Sequence, residues 1–186
     1  SGNGGGAILI DASGRVTITG RVSADGQKGN SYKGSGAGGS VLIRCHTLQG
    51  DGIVRADGQD ASSQDGGEGG GGRIAAHYDA AAQALLPIPV LEISVKAGTH
   101  AVFESVSEFG SIYLTDTRLL TEAVSDIRGW LHVPGFTSWS PASLVLTNSY
   151  LGIMTDGFGL SVAGDVVGSG NRLLAFRSNV TVHVGG

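Results

Sequence analysis

The chain has 186 residues, enough for one domain with a substantial core. It carries 33 glycines and only 15% charged residues, yet 40% apolar residues, a balance that favours flat sheets and turns over disorder or solvated helices. The net charge of −4, with 12 Lys and Arg spread along the chain, argues against nucleic acid as a partner, because phosphate backbones demand clustered cations.

From Gly5 onward the sequence repeats. GGAILIDA at Gly5 returns as GGSVLIRC at Gly38 and GGRIAAHY at Gly71, each time after 33 positions. VSADGQ at Val22 returns as VRADGQ at Val54 after 32, and a further start, GSIYLTD, appears at Gly110. Each unit predicts a strand, a turn, a second strand and a long glycine loop, with ADG supplying an Asp-Gly turn. Alternation puts Ile8, Ile10 and Ala12 on one face, aligned with Val41, Ile43 and Cys45 and with Ile74, Ala76 and Tyr78. Val22 and Ala24 over Val54 and Ala56 form a second column. Cys45 reads as a core residue, and as the only cysteine it has no internal disulfide partner.

One such unit cannot bury its own apolar face, so neighbours must stack into a solenoid. The expected fold is all-β: a right-handed parallel β-helix with long glycine-rich loops and at most one short helix. Residues 1–186 read as one domain, regular over 1–78 and less regular over 79–186. The loops QKGNSYKGSGAGG and QDASSQDGGEGGGG should leave at equivalent corners and lie against one another, glycine permitting close backbone approach. Asp79 should cap a short helix in DAAAQALL that ends before Pro87. Later strands are predicted around Leu91 to Lys96, Ser111 to Thr115, Leu144 to Thr147, Leu160 to Ala163 and Val180 to Val184.

Catalytic motifs are sparse. GSGAGG and GEGGGG satisfy G-x-G-x-x-G, but each precedes a strand and has no helix N-terminus to hold a pyrophosphate, so both read as solenoid loops. Asp57, Asp60, Asp65 and Glu68 share one loop that Ca²⁺ could gather, without the spacing of a calcium-binding loop; a solvated acidic loop is the alternative, and no cofactor is expected. Repeat register places Asp11, Arg44 and His77 in one outward column, with His46 level with Asp79. That column has the acid and base of a polysaccharide lyase in miniature, or is an ordinary surface ladder.

GWLHVPGFTSWSPA, from Gly129, holds both tryptophans. Alternation leaves Leu131 and Val133 on the core side and Trp130 and His132 outside, and Pro134 ends the strand. Phe136 and Trp139 then sit in a proline-bounded loop, with Tyr113 and Tyr32 able to extend an aromatic surface. Flat apolar rings beside hydroxyl-bearing side chains suit the C–H face of a pyranose; the alternative is that the tryptophans cover the core.

The GAGGSVLI, GIVRADG and GGGGRIA stretches over Gly36–Ile43, Gly52–Gly58 and Gly69–Ala75 resemble the glycine-rich, pectin-lyase-like β-helices of large secreted bacterial proteins. In overall character the chain is most similar to β-helical carbohydrate-binding modules attached to xylan-degrading enzymes. The resemblance implies a noncatalytic, secreted module that binds a plant cell-wall polysaccharide, xylan or a relative, through Trp130, Trp139, Phe136, His132, Tyr113 and Tyr32, without membrane insertion. Glycine runs at both ends lead to the expectation of a module tethered to catalytic or other extracellular domains. A structural or adhesive segment of a surface protein and a polysaccharide lyase are the competing readings.

Overall fold

The computed structural model describes residues 1–30, 32–61, 66–100, 107–170, 173–176 and 179–185. The first passes along the chain form β1 (Ala7–Asp11), β2 (Arg15–Ile18) and β3 (Arg21–Ser23), then β4 (Ser40–Arg44), β5 (Thr47–Gly50) and β6 (Ile53–Arg55). The third pass gives β7 (Arg73–His77), the helical turn α1 (Ala80–Gln83) and β8 (Glu92–Ser94), and the fourth β9 (Ser111–Leu114), β10 (Ala123–Ser125) and β11 (Ile127–His132). Shorter passes follow: β12 (Ser138–Trp139), β13 (Leu144–Thr147), β14 (Tyr150–Ile153), β15 (Gly159–Val162), β16 (Val166–Ser169), β17 (Leu173–Phe176) and β18 (Thr181–Val184). The fold is nearly all β, built around a curled ten-stranded parallel sheet, with two three-stranded sheets and one two-stranded sheet beside it.

Repeat alignment and strand register coincide. Ile8 lies beside Val41, Val41 beside Ile74, and the file continues through Ile112, Leu131 and Ile153 to Phe176, one side chain per rung. The inner members of this file are 0–2% exposed. Each fully buried aliphatic side chain contributes ~1.5–3 kcal/mol, so the single file is the spine of the core. Val22, Val54, Ile93 and Ile127 form a second file.

β11 explains how the glycine loops fit. Its first residues, Ile127 and Arg128, continue β8, while Trp130, Leu131 and His132 continue β9. Gly129 alone therefore stands where the preceding pass runs out from Val95 and back to Gly110. A Cβ on Gly129 would lie 2.3 Å from Val95 Cγ2, so only glycine fits beneath that side chain. Each loop is an excursion from one strand line, closed at its neck by a backbone hydrogen bond: Gly39 N–H to Ala24 O, Gly72 N–H to Ala56 O and Gly110 N–H to Val95 O, all 2.8 Å.

Beyond the necks the loops form extended arms that bond in two directions. Along the stack, Gly26 donates to Asp57 O, Gly58 to Lys96 O, Ser35 to Gly67 O and Gly38 to Gly70 O; across an arm, Gly36 donates to Gln27 O and Gly69 to Gln59 O. Backbones approach so closely that a Cβ on Gly38 or Gly71 would come within 1.9 Å of the facing carbonyl oxygen.

Two local readings change. The ADG segments are not turns: Asp25 and Asp57 begin the outgoing arms, and their carboxylates accept the backbone N–H of the next pass, Asp57 N to Asp25 Oδ1 at 2.8 Å and Lys96 N to Asp57 Oδ1 at 2.9 Å. The helix capped by Asp79 is four residues long, not eight, and stands where β2 and β5 leave an open strand edge. There buried Gln83 acts as a missing strand: its amide donates to Leu48 O at 2.9 Å and accepts Leu48 N–H at 2.8 Å.

Candidate functional site

The solvent face of the main sheet carries Tyr113, Trp130 and Tyr150. Alternation turns Leu9, Leu42, Ala75, Tyr113 and His132 outward in one file, and Ser40, Arg73, Ser111, Trp130 and Gly152 in a parallel file two residues back along the strands. Ala75 is small, which leaves the Tyr113 ring free to lean toward His77, and the two rings stack with centroids 4.6 Å apart. On the other side His132 lies 5.4 Å from the same Tyr113 ring. His77, Tyr113 and His132 thus make a ladder of three rings on consecutive rungs.

A second group surrounds Trp130. Gly152 is the neighbour of Trp130 on the next rung, and a Cβ there would be 2.3 Å from Trp130 Cε3, so the indole rests on bare backbone. Tyr150 meets it edge-on at 6.1 Å and stacks on Phe109 at 3.7 Å. Partial burial, with the nearby Glu108 carboxylate, pushes the Tyr150 hydroxyl above its ordinary range, so it stays protonated as a donor.

Beside the first group, over β1, β4 and β7, runs a groove of about 580 Å³ floored by Leu9, Leu42 and Ala75 and bordered by Arg73, His77 and Tyr113. A second depression of about 340 Å³ lies between Arg73, Phe109, Trp130 and Met154. Arg73 borders both. The face is a shallow, one-sided channel with rings along it, suited to a flat ligand that follows the stack. No protein-family model, curated protein or solved structure matches the chain.

The residues singled out in the sequence divide. Trp130, His132 and Tyr113 share the outward face, as alternation places them. Tyr32 is 74% exposed on the first arm. Phe136 is a correction: it is 6% exposed, 4.9 Å from Phe158, because the chain bends inward after Pro134 and the ring fills the corner below β15. Trp139, half-buried in β12, leans on the same core beside Phe136 at 6.3 Å instead of standing free in a loop. Phe109, Tyr150 and Arg73 were not singled out; Tyr150 is visible only once the 22-residue step from Arg128 is known.

Asp11, Arg44 and His77 do occupy one column, with Arg44 Nη1 3.8 Å from Asp11 Oδ2 on an exposed surface where water and salt screen the pair. His46 accepts the Asp79 N–H through its carbonyl. The acidic loop residues face different partners. Asp57 is buried against Arg55 at 2.8 Å and Ser94 Oγ at 2.7 Å, and Asp60 accepts from the Thr99 backbone and hydroxyl, bonds that hold its carboxyl below the ordinary range. Asp65 lies outside the described residues. Among the described residues no three metal-ligating side chains gather, and no helix is long and apolar enough to cross a membrane.

Proposed function

We propose that the chain is a noncatalytic carbohydrate-binding module that recognises a plant cell-wall polysaccharide, xylan or a close relative, on the outward face of a right-handed parallel β-helix. The observation that carries this reading is the ring ladder of His77, Tyr113 and His132 beside Trp130, on a solvent-facing sheet whose rungs are ~4.8 Å apart. That spacing approximates the length of one pyranose in an extended polymer, so successive sugars meet successive rungs. The helix inference is supported by all-parallel register and by later steps of 21 to 23 residues that carry each strand onto its neighbour, with handedness following the strong preference of parallel crossovers. A secreted module tethered to other extracellular domains suits this role.

Affinity electrophoresis in gels containing xylan, β-glucan, mannan or pectin tests the reading. Retardation by one polymer, reduced at least about tenfold in affinity by Trp130→Ala and by Tyr113→Ala but not by Tyr32→Ala, is the expected result. Free migration in every gel overturns it. The competing structural-segment reading draws on the burial of Phe136 in the core and the packing of half-buried Trp139 against it. Iodide quenching separates the two, since the structural reading requires both indoles to be protected.

A further inference from the structure

We propose that the face takes an acidic polysaccharide, with a uronate carboxylate seated on Arg73 and neighbouring pyranose rings on Tyr113 and Trp130. This rests on the polysaccharide-binding reading and narrows its ligand.

Arg73 is the central cation of the face. In a chain with net charge −4 it stands exposed at the first position of β7, in the same file as Trp130 and two rungs from it, and borders both depressions. Its guanidinium has no ion-pair partner among the described residues. The other arginines along this face differ. Arg44 leans on Asp11, while Arg128 is held by Glu92, Asp126 and the Asn148 carbonyl. Arg73 is therefore the guanidinium left to offer its planar fork to a ligand, and that fork matches a carboxylate bidentately.

Geometry sets where the rings go. Two rungs place the Cα atoms of Arg73 and Trp130 ~10 Å apart, room for a sugar between the residue bound at Arg73 and the one stacked on the indole. Tyr113 lies one rung on from Arg73 in the neighbouring outward file, level with that intermediate sugar, whose ring can meet the phenol. Glu108 borders the depression on the Trp130 side, so the carboxylate belongs on the Tyr113 side of the guanidinium, away from that like charge. Ser40 and Ser111, the neighbours of Arg73 on the rungs before and after, supply hydroxyls and no competing charge.

The test compares xylan bearing glucuronate branches with the same polymer after its carboxyl groups are reduced to alcohols, by calorimetry and affinity electrophoresis at low salt. The native chain should bind the acidic polymer about ten- to hundredfold more tightly, with the difference shrinking as salt rises. Arg73→Gln should erase the difference, weakening binding of the acidic polymer far more than that of the reduced one, with the unfolding midpoint unchanged; Arg73→Lys should keep part of it. Retention of polygalacturonate in preference to acidic xylan supports the carboxylate site while overturning xylan as the backbone. Equal binding of acidic and reduced polymer overturns the carboxylate site alone, as does a preference that survives in Arg73→Gln. Failure to bind any polymer, acidic or neutral, removes both proposals.

Discussion

Replacing Gly71 by alanine tests whether the glycine arms are a fitted backbone structure. The added Cβ would lie 1.9 Å from Val95 O and 2.3 Å from Gly110 N, both more than 1 Å inside the 3.4 Å where ordinary contact begins. Both neighbours are backbone atoms, so relief requires the neck of the third arm to spread. Spreading breaks the 2.8 Å bond from Gly110 N–H to Val95 O and strains the 2.9 Å bond from Gly71 N–H to Glu108 O. Two backbone groups left without partners cost ~1–3 kcal/mol each, and alanine returns ~0.4–1 kcal/mol by restricting the unfolded chain. A net loss of ~1–5 kcal/mol remains, which in a chain of this length lowers the thermal midpoint by roughly 2–20 °C. Gly6→Ala is the control, since nothing lies within 4 Å of the Cβ it would add, and it should leave the midpoint unchanged or slightly raised. Calorimetry or circular dichroism of the two variants decides the matter. Equal midpoints would mean that the arms yield freely and that their glycines are not required by close approach.

Gln83→Leu should cost ~2–4 kcal/mol in urea unfolding, because it strips partners from both the N–H and the C=O of buried Leu48, and Gln83→Glu should restore only the acceptor half. Asp25 should make stability acid-sensitive. Partial burial works to raise its carboxyl, but the Asp57 N–H, Ser23 and the guanidiniums of Arg55 and Arg21 outweigh it and hold the group below its ordinary range. The contribution is thus present above about pH 4, where the unfolded carboxyl ionises, and lost as pH falls through the lower folded value; Asp25→Asn should flatten the unfolding midpoint over that window. Tyr78 works in the opposite direction. Burial, with Asp116 accepting its hydroxyl at 2.7 Å, pushes the phenol upward, so stability should decline as pH rises above about 10, a decline absent from Tyr78→Phe. Gly152→Ala should lift the Trp130 indole off its rung and weaken polysaccharide retention without shifting the unfolding midpoint as far as Gly71→Ala does.

The first three passes were legible because a parallel stack writes its register into the sequence: residues that touch recur at a fixed interval. GGAILIDA over GGSVLIRC over GGRIAAHY therefore specifies every partner from Ile8 and Val41 to Arg44 and His77. The interval then changes, to 38 between Arg73 and Ser111 and to 19 between Ser111 and Trp130, and a repeat whose period shifts on each pass leaves only strand rhythm. Alternation still placed Leu131 and Val133 inward and Trp130 and His132 outward, since strand side chains can only alternate. Phe136 escaped because no periodicity governs a bend. Its direction follows from Phe158, which arrives one pass later, and Gln83 escaped because a side chain standing in for a strand has no sequence signature.

The neck geometry lets chain length change at one point of a pass without disturbing the strands that flank it. Fourteen residues separate Val95 from Gly110, and one pass later Gly129 bridges the same gap by itself, yet the strands on either side keep their partners. Insertions and deletions at that point cost no register. A lineage of such molecules can lengthen, shorten or exchange its arms like cassettes, while the ringed face, drawn from the strand segments between necks, is inherited undisturbed.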